Sequence, residues 1–486
     1  MPKASARRVL FVASECFPLL KTGGLADVAG ALPLELAKSG LDVRMLLPAF
    51  PAVKAGAKRP KKLAKIKDLF GAPAALYSAT AATGLKLFML DAPHLYDIGG
   101  NPYLDSKGKD RADNHIRYAA LSFAAAELAL GRLTDWKADI VHAHDWQAGL
   151  TAAYLSLEDG PRPKTVFTIH NLAFQGLFDK KHLASLKLPR SLFHQEGIEY
   201  WDQIGFLKAG IAYSDHVTTV SPSYAAEIAT EDKGMGLGGL LGSLGPKLSG
   251  IVNGIDTDVW NPETDPAIPA PYSRQKTAGK AKCKQALQAE MGLRQDAKTP
   301  LFCVISRMTD QKGLDLLLEA VPHIVGNGAQ LAVLGSGDKD LETGFMKAAK
   351  GHPGMVSTTI GYDEAMSHRI QAGADVIFVP SRFEPCGLTQ LCAMRYGTLP
   401  LVARVGGLAD TVIDANLAAL QVGTGTGFMF SPVTQDALRA AFDRALKAYG
   451  NKATWRKLVR GAMGYDVSWQ APAAAYAAVY DALTKD

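Results

Sequence analysis

Ten short runs rich in Val, Ile, Leu and Phe, separated by helix-length segments, constrain this chain more than any other feature. Six come first: Val9 to Ala13, Val43 to Leu47, Leu85 to Leu90, Ile140 to Ala143, Thr165 to Ile169 and Val217 to Val220. Four follow: Leu301 to Ile305, Leu331 to Leu334, Val376 to Val379 and Leu399 to Ala403. Their hydrophobicity is continuous rather than alternating, which belongs to strands buried on both faces and hence to parallel sheets covered by helices. The prediction is an α/β protein with two sheets.

At 486 residues the chain is long enough for two large domains. A Gly-rich stretch, Gly234 to Gly245, and four prolines between Asn261 and Pro271 lie between the two series of runs. The boundary is therefore set at 249/250, giving domains 1–249 and 250–464. The segment 465–486, Ala-rich and helical after Pro472, can join either. Apolar residues make up 48% of the chain and charged ones 21%, as in an ordinary globular protein. A net charge of +6 is too small at this length to mark a nucleic-acid binder. The densest basic stretch, Lys54 to Lys67, has seven Lys or Arg and no acid, and reads as solvated loops and helix faces. Five scattered cysteines without a CxxC indicate neither a disulfide framework nor a zinc ribbon and fit a reducing cytoplasm. Lys3, Arg7 and Arg8 precede an apolar run that Ser14 and Glu15 cut short, so it reads as a first strand rather than a leader, and no run approaches the roughly 20 residues of a membrane span.

In open parallel sheets ligands gather at the carboxyl ends of the strands, and polar motifs stand there. Lys21-Thr-Gly-Gly follows the first run, His144-Asp-Trp the fourth, His170-Asn171 the fifth, Ser306-Arg307 the seventh and Ser381-Arg-Phe-Glu384 the ninth. Lys21-Thr22-Gly23-Gly24 reads either as a plain turn or as a phosphate loop, with amides brought close and an ammonium beside them. Asp27 can cap the following helix or receive a sugar hydroxyl, and capping is the expectation from its position alone. Arg307 and Lys312 suit a departing diphosphate, whose growing negative charge fixed cations stabilise. Glu384-Pro-Cys-Gly-Leu-Thr389 precedes a helix-like stretch, so the amides of Gly387, Leu388 and Thr389 form a helix N-terminus with Glu384 at its mouth.

Other patterns carry less. Cys386 has no identifiable His/Asn partner and is not read as a nucleophile. His142, His144 and Asp145 lack a further compact ligand set, so sugar-hydroxyl recognition is preferred to zinc. The DxD pairs Asp256/Asp258 and Asp338/Asp340 read as surface turns. Gly234-Met-Gly-Leu-Gly-Gly239 matches GxGxxG but follows Glu231-Asp-Lys233 where a strand is required, and reads as a mobile loop.

Taken together, Lys21-Thr-Gly-Gly-Leu-Ala-Asp-Val28, His142-Ala-His-Asp-Trp-Gln-Ala-Gly149, Thr168-Ile-His-Asn171, Asn253-Gly-Ile-Asp256, Ser306-Arg-Met-Thr-Asp-Gln-Lys-Gly313 and Arg382-Phe-Glu-Pro-Cys-Gly-Leu-Thr389 resemble the bacterial glycogen synthases and plant starch synthases over nearly the whole chain. The resemblance implies the GT-B architecture, two Rossmann-like domains facing a cleft. It implies retaining transfer of glucose from ADP-glucose to the non-reducing end of an α-1,4-glucan such as glycogen, releasing ADP, without metal or cofactor and without nucleic-acid or membrane partners. Carried over by motif, Lys21, Arg307 and Lys312 hold the diphosphate with the amides of Gly24, Gly387, Leu388 and Thr389 beside Cys386. Tyr362 stacks on adenine. Asp145, His170, Asn253 and Glu384 surround the donor glucose, with Asp27 nearby, and the catalytic set is Glu384, His170 and Asp145. Gln147 stands where many relatives have His, at the expected cleft edge. The competing readings are another retaining GT-B transferase using UDP-glucose or a small acceptor, a pyridoxal-phosphate-dependent phosphorylase, and a silent glucan-binding scaffold.

Overall fold

The computed structural model describes residues 6–485; Lys3 lies outside them. The chain forms two compact units, residues 6–253 with 469–485, and residues 254–468.

The first unit is built on a nine-stranded sheet. In chain order its strands are β1 (Arg8–Val12), β2 (Asp42–Pro48), β3 (Lys58–Ile66), β4 (Ala74–Thr80), β5 (Lys86–Asp91), β6 (Ile140–His144) and β7 (Lys164–Ile169). A separate three-stranded antiparallel sheet follows, of β8 (Leu177–Asp179), β9 (Glu199–Tyr200) and β10 (Gln203–Gly205), and then β11 (His216–Thr219) and β12 (Leu248–Gly250) complete the large sheet. Its spatial order is β12-β11-β7-β6-β1-β2-β5-β4-β3, parallel from β12 through β5 and antiparallel for β4 and β3. Strands β1, β2, β6 and β7 are almost wholly buried, because helices such as Gly24–Lys38 and Asn114–Ala129 cover both faces.

Strand β3 corrects the reading of Lys54 to Lys67 as loops and helix faces. Lys58, Arg59, Lys61, Lys62 and Lys65 lie on an exposed edge strand paired with β4 on one side only. Lysines on an open edge oppose pairing with another chain, so the charge run marks a protected sheet margin.

The second unit has a six-stranded, wholly parallel sheet. Its strands are β13 (Leu301–Ile305), β14 (Gln330–Gly335), β15 (Val356–Ile360), β16 (Val376–Val379), β17 (Leu399–Ala403) and β18 (Phe428–Phe430), in the order β15-β14-β13-β16-β17-β18. All ten predicted runs coincide with strands.

The helix Gln470–Thr484 packs on the first unit although the chain reaches it from the second. Tyr476 and Tyr480 are fully buried in the first core, and Tyr480 Oη meets His142 Nδ1 at 2.7 Å. No helix among the described residues is long and apolar enough to cross a membrane.

Candidate active site

Both sheets reverse their strand order beside a central strand, and there the loops at the carboxyl ends diverge to leave a crevice. In the first unit the reversal lies between β1 and β6, and in the second between β13 and β16. The loops leaving these four strands carry the motifs: Lys21 to Gly24 after β1, Asp145 after β6, Arg307 and Lys312 after β13, and Glu384 to Thr389 after β16.

In the first unit, the helix Gly24–Lys38 starts after an N-cap Gly23 that has no side-chain cap. Asp27 is not the cap expected of it; its carboxylate pairs with Lys21 Nζ at 2.9 Å, so the first turn carries a held ammonium. Asp145 has φ 56°, a left-handed conformation uncommon for a residue with a side chain. Its Oδ1 accepts the His170 amide at 2.7 Å, joining the β6 and β7 loops. Burial raises the Asp145 carboxyl to about 7, against the lowering pull of the His170 and Asn171 amides. Burial also drives His170 down to about 3, so its ring is neutral at physiological pH, with Nε2 3.0 Å from His144 Nδ1. Asn253 is 6% exposed and its Oδ1 has no hydrogen-bond partner among the described residues, an acceptor suited to a hydroxyl.

His142 and His144 do not serve as the sugar-facing pair that their spacing suggested. Both are fully buried, and His142 bridges Tyr480 Oη and Thr168 Oγ1 in a polar rung that continues to Thr218. Gln147 is likewise buried rather than on an exposed rim. Burial pushes the pKa values of His142, His144 and His170 below 6.5. Their unfolded forms bind protons below that pH while the folded forms do not, so stability falls as pH drops from 6.5 toward 3. Asp145, raised from 3.8 to about 7, acts in the opposite sense over that window. Replacing His142 with Gln keeps a polar group beside Thr168 and removes one titration. Calorimetric Tm is therefore expected to fall less between pH 7 and 5 in His142→Gln than in the parent.

In the second unit, Lys312 Nζ lies 2.5 Å from Glu384 Oε2, and Ser381 Oγ donates to the same oxygen at 2.9 Å. Glu384 is 6% exposed. The two loops are stitched by Arg382 N to Gln311 O at 2.9 Å and Gln311 Nε2 to Phe383 O at 3.2 Å. Gly313 (φ 62°) closes the first of them, where a Cβ would stand 2.1 Å from Pro380 O. Gly387 (φ 73°) opens the turn into the helix Thr389–Arg395, whose Gln390 Nε2 holds the Cys386 and Gly387 carbonyls at 2.9 and 2.8 Å. Leu388 is the N-cap, so the Gly387–Thr389 amides stand at a helix start beside Glu384. Cys386 is buried. Arg307 is exposed, and Tyr362, 66% exposed, stands apart on the loop after the edge strand β15.

The DxD pairs are turns, as expected: Asp256 accepts the Asp258 and Val259 amides, and Asp338 caps the helix Lys339–Gly351. Among the described residues no group of three His, Cys, Asp or Glu is placed to hold a metal ion. Met235, in the glycine-rich segment, is tied through its carbonyl to Tyr200 Oη and Gln175 Nε2, and a short helix, Gly238–Ser243, follows. Sequence reasoning passed over Ser381 and Glu15 without giving either a role in the site. Ser381 stands three residues before Glu384 at a strand end, which was a usable signal.

Residues 8–243 match the family described as starch synthase catalytic domain, and residues 290–460 match glycosyl transferases group 1. The glycogen synthase of Rhodopseudomonas palustris strain TIE-1 is 55% identical over 478 residues, covering 98% of this chain and 99% of that protein. That of Roseobacter denitrificans is 53% identical over 476 residues, with the same coverage. This chain belongs to the glycogen synthase family. It shares the family's glycosyltransferase fold: the catalytic domain of starch synthase IV from Arabidopsis thaliana, a structure with ADP and acarbose bound, superposes with TM-score 0.90 at 31% identity over 99% of both chains. A sucrose-phosphate synthase from Thermosynechococcus elongatus, at TM-score 0.61 and 18% identity over 98% of this chain and 99% of that one, shares the GT-B fold.

Proposed function

We propose that the chain transfers glucose from ADP-glucose to the non-reducing end of an α-1,4-glucan such as glycogen, with retention at the anomeric carbon and release of ADP. The observation that carries this reading is the Lys312–Glu384–Ser381 cluster at the second switch point, beside a helix start. It joins a cation suited to phosphate with a carboxylate suited to a sugar gaining positive charge. The glycogen synthase relatives, and the ADP and acarbose held by the plant starch synthase, support the nucleotide and the glucan.

In this reading the departing diphosphate gathers negative charge, and Arg307, Lys312 and Lys21 stabilise it with the amides of Gly24, Gly387, Leu388 and Thr389. Cys386 contributes its backbone to that turn, and Asp27 steers Lys21 through their ion pair. The exposed ring of Tyr362 stacks on adenine. Asn253, His170 and Asp145 receive sugar hydroxyls, His170 as a neutral ring. Retention excludes a single displacement from the back face. Asp145 is half protonated near pH 7 and already engaged by backbone amides, which disfavours it as an attacking nucleophile. Glu384 is likewise engaged, by Lys312 and Ser381, which favours a stabilising over an attacking role. In this reading the acceptor hydroxyl enters on the leaving-group face, its proton passes to a phosphate oxygen, and Glu384 stabilises the oxocarbenium ion. No metal or cofactor takes part. Five buried cysteines, scattered along the sequence, support a reducing cytoplasm as the setting.

The test is ADP release from ADP-glucose with glycogen and EDTA present, run beside UDP-glucose and a control without glycogen. Glycogen-dependent release of ADP, much faster than release of UDP, is expected. Faster UDP release would move the donor to UDP-glucose, and no glycogen-dependent release from either donor would overturn the reading.

A further inference from the structure

We infer that Glu15 is the positioning residue of the phosphate loop, an acid buried beneath Lys21 that fixes the loop's direction through its backbone. The inference rests on the phosphate role proposed for Lys21. Glu15 is 3% exposed and lies just past β1. Its Oε2 accepts the Thr22 amide at 2.5 Å, the Thr22 hydroxyl at 2.8 Å and the Gly23 amide at 3.4 Å. Its Oε1 accepts Tyr103 Oη at 3.1 Å, and that hydroxyl in turn meets Ser14 Oγ at 2.7 Å. The loop leaves the sheet at Ser14, turns through Cys16–Leu20 and comes back to the helix start at Gly23; one carboxylate clamps both of its ends.

The clamp takes up the two amides that precede the helix Gly24–Lys38, and the first turn then opens at Gly24 with Lys21 held by Asp27. Tyr103 Oη meets Glu15, and the Tyr103 ring lies 6.4 Å from that of Trp146, the neighbour of Asp145, so the same side chain links the phosphate loop to the sugar-facing motif. By charge alone a carboxylate under an anion-binding loop weakens it. Its contribution is therefore directional: three donors converging on one oxygen orient the loop. Burial raises the Glu15 pKa, against the lowering pull of the Thr22, Tyr103 and Gly23 bonds.

The charge and positioning roles predict opposite signs. Glu15→Ala is expected to raise the ADP Kd and the donor KM at least about tenfold, while the KM for glycogen stays within about threefold. Glu15→Gln keeps an acceptor oxygen for Thr22 and is expected to recover most of the ADP affinity. A carboxylate acting by charge alone would make both variants bind ADP more tightly than the parent, and a purely structural one would lower the active fraction without moving the Kd of what remains; either result overturns the inference. Hydrogen exchange at the Thr22 and Gly23 amides, read without any ligand, decides the geometric claim even if the parent neither binds ADP nor turns over. Faster exchange in Glu15→Ala supports the clamp, and parental exchange sinks it. Should Glu15→Ala not fold, the same exchange and ADP-binding measurements on Thr22→Val, which removes only the hydroxyl donor, carry the test: weaker ADP binding with faster exchange supports the clamp, and parental values overturn it.

Discussion

Replacing Glu384 with alanine is expected to cut turnover by at least about 10²-fold while the fold survives, the size of effect seen on removing one electrostatic stabiliser of a transition state. The carboxylate stands at the end of β16 with Lys312 Nζ at 2.5 Å and Ser381 Oγ at 2.9 Å, so its position is held from two sides before any substrate arrives. Truncation leaves Lys312 without its carboxylate and lowers the Tm, but the surrounding turn is fixed independently by Gln390, so the fold is expected to survive. Glu384 and Lys312 share one interaction, so the Glu384→Ala/Lys312→Ala double variant should lose less activity than the product of the two single losses. Single-turnover rates at saturating donor and glycogen check both points. A Glu384→Ala enzyme within tenfold of the parent would remove this residue from the mechanism.

Asp145 should separate stability from activity. Alanine there leaves the His170 and Asn171 amides without their buried acceptor, at about 1–3 kcal/mol for each. It also keeps a Cβ on a residue at φ 56°, which a left-handed backbone disfavours by about 1–2 kcal/mol. Glycine loses the same carboxylate yet adopts that φ freely. Asp145→Gly is therefore expected to melt higher than Asp145→Ala, and both are expected to lose at least about 10²-fold in turnover. Equal Tm values would show that the backbone conformation at 145 carries no stored strain, and substantial activity in the glycine variant would contradict the sugar-contacting role.

The central strands were legible in the sequence because burial on both faces favours a continuous apolar run, and β1, β13, β16 and β17 show that pattern. The edges were not legible: five of the nine residues of β3 are Lys or Arg and β15 reads Val-Ser-Thr-Thr-Ile, since an edge strand pairs on one side only and is less buried. The site motifs could be read because glycine, lysine and carboxylate at strand ends have few other uses. The cap read from the position of Asp27 alone failed for a physical reason: the helix has Gly23 at its N-cap, and the Asp27 carboxylate pairs with Lys21. His142 was misread because its partner, Tyr480, lies 338 residues further along. Glu15 looked like the end of an apolar run, and its partners become visible only once the chain has turned back to Thr22.

The helix Gln470–Thr484 gives the molecule an order of assembly. The first unit holds all of its buried core except the part that Trp469, Ala473, Tyr476 and Tyr480 complete, but ribosomal synthesis delivers those residues only after the whole of the second unit has been made. A nascent first unit therefore waits with the His142 face of its sheet uncovered, and a fragment stopping at residue 253 would keep it so. The helix acts as a delayed latch: the unit that is translated first is the last to be finished.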